Sequence, residues 1–178
     1  MNPDHDNETS NGYAALVAGI LRSFERQQRY AQSLVADLSP AEMVSQPIDG
    51  VVLNHPAWAL SHLNVYMPVL TAMLEGGTPG DPLDHEFGQR STPLPDPGAY
   101  LPKAALLERF AQLHESTARA FRAAGPGVLA AETPLPRFIE RFPTIGDVAI
   151  QLMIKHEATH LGQVSAWRRA GGRPMVTP

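Results

Sequence analysis

Residues 154–172 read IKHEATHLGQVSAWRRAGG, and the fold turns on how the letters HEATH at 156–160 are read. On a helix, His156 and His160 lie one turn apart on one face, so both imidazoles can reach one cation. The same letters spell H-E-x-x-H, the helical motif of zinc metalloproteases, in which the Glu is the general base and a third ligand follows downstream. The rest of the chain does not support that reading. After His160 comes LGQVSAWRRAGGRPMVTP, which holds no Asp, Glu or His, and Gly162 is out of place for H-E-x-x-H-x-x-G-x-x-H. The reading is therefore not a zincin protease, and if a metal binds here its third ligand lies upstream.

At 178 residues the chain is long enough for one sizeable core and is expected to form a single domain at 11–172, between a flexible N-terminal tail at 1–10 and a C-terminal tail at 173–178. The apolar share of 43% and charged share of 18% are those of a soluble globular protein, and no apolar run is long enough for a bilayer. No cysteine is present, so the protein has no disulfide, thiolate ligand or thiol nucleophile of its own. The start MNPDHDNETSNG lacks an apolar segment, and a cytoplasmic location is the expectation. A net charge of −4 and a pI near 5.9 argue against a nucleic-acid partner. The one basic cluster, Arg168, Arg169 and Arg173, reads as side chains favoured at a helix C-terminus.

Working back from HEATH, Thr144 and Asp147 resemble a capping box that opens a fourth helix, with Val148, Leu152, Met153, Thr159, Val164 and Trp167 on its apolar face. A third helix starts at Pro102 and stops at AAGPG. A second opens at NHPAW, with Asn54 or His55 as cap, and ends with Gly76 at the C′ position. Pro68 inside it removes a hydrogen bond, so a kink or bulge is expected at 64–68. A first helix is expected from Asn11 to Leu38, followed by a capping box at Ser39 and Glu42. The stretches 76–101 and 125–143 are rich in Pro and Gly and read as long loops, with RFIERF at 137–142 alone able to pair briefly as a strand. Four amphipathic helices with no sheet must bury their stripes on one another, which predicts an all-α four-helix bundle with long loops after helices two and three.

Among the seven histidines, His5 falls in the N-terminal tail, His85 in the long loop, His55 at a cap and His114 at the edge of the apolar face of helix three. His62 sits near the middle of helix two, between Trp58 and Tyr66. Two readings of it stand: a hydrogen-bonded core histidine, or a third ligand joining His156 and His160. One divalent cation would satisfy three buried imidazoles at once. Glu157 is rotated about 100° from His156 around the helix. It reads as a solvated face residue, with a catalytic or supporting role as the weaker alternative. Gln163 reads as packing.

NHPAWALSHLNVYMPVL and IKHEATHLGQVSAWRRAGG resemble the two signature helices of the DinB-like superfamily, also called the YfiT-like metal-dependent hydrolases. The matching letters are His62-Leu63, His156, His160, Gly162-Gln163 and Arg168-Arg169. The resemblance implies a four-helix bundle of the DinB/YfiT-like type, often a homodimer, in which His62, His156 and His160 hold one divalent metal ion, zinc or nickel before others. It also implies an enzyme acting on a small-molecule substrate. Transfer of a low-molecular-weight thiol to an electrophile is the favoured expectation, and the absence of cysteine means that the thiol would come from solution as a cosubstrate. The alternatives are hydrolysis by metal-activated water and a non-catalytic, stress-associated metal-binding protein.

Overall fold

The computed structural model describes residues 3–177, and the side chains of residues 11–177. Seven α-helices occur among the described residues: α1 Pro3–Val35, α2 Pro56–Leu74, α3 Lys103–Ala123, α4 Pro126–Ala130, α5 Pro136–Ile139, α6 Ile145–Ile150 and α7 Glu157–Ala170. A π-helical turn, Gln151–His156, joins α6 to α7, so 145–170 is one continuous rod. No strand forms among the described residues, and the fold is all-α. RFIERF does not pair as a strand: Pro136 opens the one-turn helix α5 there, and the only β-type pairing among the described residues is an isolated bridge between Glu132 and Thr144.

Four long rods close a ring. α1 packs on α3 and α7, and α2 packs on the same two, which leaves α3 and α7 across one diagonal. Their apolar stripes meet in a core that includes Phe24, Leu34, Leu60, Leu63, Leu70, Phe110, Phe121, Met153 and Leu161. Burial of such side chains, at roughly 1.5–3 kcal/mol each, is what the ring gains by closing.

Local chemistry sets the helix ends. Thr144 accepts from the Asp147 amide while Asp147 accepts from the Thr144 amide, the capping box expected from sequence. Ser39 and Glu42 exchange the same pair of contacts ahead of a 3₁₀ turn, Glu42–Val44. Gly76 stands just past α2 with φ 81, the left-handed conformation that favours glycine. α1 begins at Pro3 instead of Asn11, with proline at a first position the helix tolerates. It ends at Val35 instead of Leu38, and carbonyls left free there are taken by other elements: Arg168 donates to Leu34 O, and Lys103 donates to Ala36 O and Leu38 O. α2 stays helical through Pro68, which is exposed. A π turn, Gln151–His156, interrupts the other site helix.

The Arg168 cluster is more than a helix-end preference. Arg168 is 2% exposed and donates to both oxygens of Asp37, at 2.6 and 3.1 Å, while Arg173 joins Asp37 and Glu42. These contacts fasten the end of α7 to the end of α1. Residues 173 and 174 take part, since the Arg173 amide donates to Arg168 O and Arg168 to Pro174 O. No helix among the described residues is long and apolar enough to cross a membrane.

Candidate metal centre

α2 and the 145–170 rod pack side by side and bring His62, His156 and His160 together, with one ligand atom of each within 4.8 Å of the others. His156 Nε2 lies 3.0 Å from His62 Nε2 and 3.2 Å from His160 Nε2. Nitrogens around a tetrahedral zinc, each about 2.05 Å from the ion, stand roughly 3.3 Å apart, so the observed spacing suits one shared cation. His5 lies outside the residues whose side chains are described.

The other ring nitrogens explain why the lone pairs point inward. His62 Nδ1 donates to Phe87 O at 2.7 Å, and His160 Nδ1 donates to Gln163 Oε1 at 2.9 Å. Gln163 Oε1 also accepts from Asn54 Nδ2 at 3.0 Å, which fixes the amide with its oxygen toward His160. A neutral imidazole that donates through Nδ1 has an unprotonated Nε2, so at least two lone pairs converge on the third nitrogen. Such an arrangement repels itself unless a proton or cation lies at its centre. Burial, with His160 adding to it, holds His62 down to about 4, and burial, with His160 and then His62 behind it, holds His156 to about 2. Burial also lowers His160, against the pull of Gln163. All three are therefore neutral near pH 7 and available as ligands. The residues present fit a divalent ion bound by imidazole nitrogen.

Aromatic rings frame the cluster. Trp58 stacks on His62, centroids 4.7 Å apart and planes 18° from parallel, and Tyr66 lies 4.9 Å from His62 and 5.1 Å from His156. Burial pushes the Tyr66 phenol up, with Arg137 opposing, so it keeps its proton at neutral pH. In the sequence Trp58 and Tyr66 flank His62. Their period of four around His62 was the available signal that they share its face.

The 76–101 loop is built into the site. Besides Phe87 O on His62, Ser91 Oγ accepts from Trp58 Nε1 at 2.9 Å and Leu94 O accepts from His55 Nε2 at 3.0 Å. His55 is the N-cap of α2, accepting from the Trp58 amide, as its position suggested. The loop turns back at Gly88, where a Cβ would collide with Pro82 O. Arg137 of α5 donates to both oxygens of Asp81, each at 2.7 Å, and to Gln89, which ties the loop to the 136–139 turn. His85 is exposed on the loop, accepts from the Phe87 amide and is not part of the three-histidine group.

Two sequence readings need correction. Gln163 is not mere packing, because it orients His160. Glu157 is not a solvated face residue: it is 0% exposed, and its Oε1 lies 2.9 Å from Nε2 of His114, itself 2% exposed. The pair lacks the alignment of a full hydrogen bond, and no other polar partner reaches either group among the described residues. Burial pushes the Glu157 carboxyl up and the His114 imidazole down to about 3, so both directions favour uncharged forms. Facing His114 in the core, Glu157 cannot serve as the general base of a protease site at the histidines. The third histidine of the cluster, His62, comes from upstream in the chain.

Comparison with curated proteins gives no match, and comparison with solved structures gives none. The family profile of the DinB superfamily matches residues 23–164, which take in α2 and α3 whole, parts of the other two rods, and all three histidines. By that match over more than half its length, the chain belongs to the DinB superfamily.

Proposed function

We propose that this protein is a divalent-metal-dependent enzyme that transfers a low-molecular-weight thiol to an electrophilic small molecule. The observation that carries the reading is the convergence of three neutral imidazole nitrogens with no carboxylate in the group. A divalent ion held by His62, His156 and His160 would keep its full charge, since all three imidazoles are neutral, and would supply the Lewis acidity that favours a thiolate over a thiol.

The chain's own residues supply the remaining requirements. Phe87 O and Gln163 Oε1 hold His62 and His160 in the tautomer that presents Nε2. Trp58 and Tyr66 wall the cluster with polarizable surface that suits sulfur. Tyr66 keeps the proton on its phenol oxygen and can donate it in a hydrogen bond to an electrophile's developing negative charge. With no cysteine in the chain, the nucleophilic thiol comes from solution.

The test is to load the protein with zinc or nickel and follow the loss of a chromogenic electrophile with glutathione, bacillithiol or mycothiol present or omitted. The reading predicts loss that requires both metal and thiol and is absent in His62→Ala. Turnover of an ester without thiol would replace this reading with metal-assisted hydrolysis. Tight metal binding without either activity would leave a non-catalytic metal protein.

A further inference from the structure

The Glu157–His114 pair has no place in the chemistry above, yet a fully buried carboxyl and imidazole are costly for an apolar core to hold. Three features say what the pair does. Glu157 directly follows His156, at the junction where the π turn Gln151–His156 gives way to α7. A π turn changes the helix register, so the rotation of everything after it needs fixing by something outside the helix. His114 belongs to α3, across the ring diagonal from α7. Finally, His114 is itself immobilised: its ring stacks on Phe24 of α1, centroids 3.8 Å apart and planes at 13°, with Phe110 at 4.4 Å on its own helix.

We propose that Glu157 and His114 are positioning residues, a polar latch across the core that sets the rotation of α7 after its π turn and so aims His156 and His160 at His62. The proposal rests on the metal reading of the three histidines. Neither residue is a ligand. One residue of rotation, about 100°, would carry both His156 and His160 away from α2. The apolar neighbours of α7 resist that rotation only weakly, since Leu, Val and Met side chains repack among similar positions, and the Arg168 contacts to Asp37 hold the helix at its far end, about three turns from the junction. A single polar contact in an apolar core has one place where it can be made, and this is the kind of register device for which buried polar groups are best attested.

The test uses cobalt(II), whose visible absorption reports ligand geometry, added to the full chain and competed with a chelating dye to give affinity. The double variant Glu157→Met with His114→Leu replaces the pair by apolar groups of similar size, which a core accepts. It is expected to stay folded by circular dichroism while binding cobalt about tenfold or more weakly, with an altered spectrum. Glu157→Gln keeps a polar contact to His114 and is expected to stay within about threefold of wild type. His114→Leu alone leaves Glu157 without its partner and should weaken binding as much as the double, so the test survives if the double does not fold. Phe121→Leu, a core truncation elsewhere on α3, should lower the melting temperature without moving affinity or spectrum.

Wild-type affinity and spectrum in the double variant or in His114→Leu would overturn the latch. So would a loss in Glu157→Gln as large as in the double, or an equal loss in Phe121→Leu. The metal reading fails separately: wild type that takes no cobalt, or takes it regardless of His62→Ala, removes both proposals, whereas His62-dependent binding that ignores the pair removes the latch alone.

Discussion

His160 shows how one imidazole of the candidate centre is oriented by its neighbours. Its Nδ1 proton goes to Gln163 one turn on, and Asn54, at the loop before α2, holds the Gln163 amide in the required orientation. Gln163→Ala should therefore leave His160 in place but free to rotate and change tautomer, and lower zinc affinity about tenfold. Competition with a zinc-chelating dye measures this, and unchanged affinity would return Gln163 to packing. The three histidines were legible because i, i+4 spacing and the missing downstream ligand constrain one another. Glu157 was not legible. Its position on a helical wheel is measured from a regular α-helix, while its burial depends on the π turn before it and on His114, 43 positions earlier in the chain.

Among the elements, the π turn has the most specific consequence. Gln151–Ile154 contains no Pro or Gly, and nothing in its composition distinguishes it from an ordinary turn. The capping boxes at Ser39 and Thr144 and the glycine stop at Gly76 were readable because the interacting residues lie within a few positions of each other. Deleting exposed Lys155 should convert the π turn to regular α-helix and swing the segment that precedes it out of register with α7. The expected result is full helical circular dichroism with loss of zinc. Retained zinc would mean that the turn plays no part in aiming the ligands.

The junction of α1 and α7 makes a pH prediction. The hydrogen bond from Arg168, foremost, holds the Asp37 carboxyl below its ordinary value. A depressed carboxylate adds stability above its unfolded value of about 4 and loses it as pH falls through the folded value. Asp37→Asn should thus be less stable than wild type at pH 7, and the gap should narrow as pH falls below about 4. Urea unfolding at several pH values reads this, and a gap independent of pH would contradict the ion-pair account. Because half of the Asp37 side chain faces solvent, the effect at pH 7 should be modest, roughly 1–2 kcal/mol.

For the whole molecule, four amphipathic stripes and the absence of a sheet pattern were enough to give an all-α bundle, since helices without a sheet have only one another to pack on. The order around the ring was not available from sequence. It is set by long-range contacts such as Arg168 to Asp37, Tyr13 to Ala124 O and Glu157 to His114, none of which has a local signal. The family match and the converging histidines give the assembled molecule one central claim, that α2 supplies the third ligand to the pair in HEATH. The direct measurement is metal content per chain by elemental analysis, with wild type and His62→Ala purified side by side without chelator. Near one divalent ion per wild-type chain is expected, with strong loss in His62→Ala. Equal metal in both proteins, or none in wild type, would contradict the three-histidine centre.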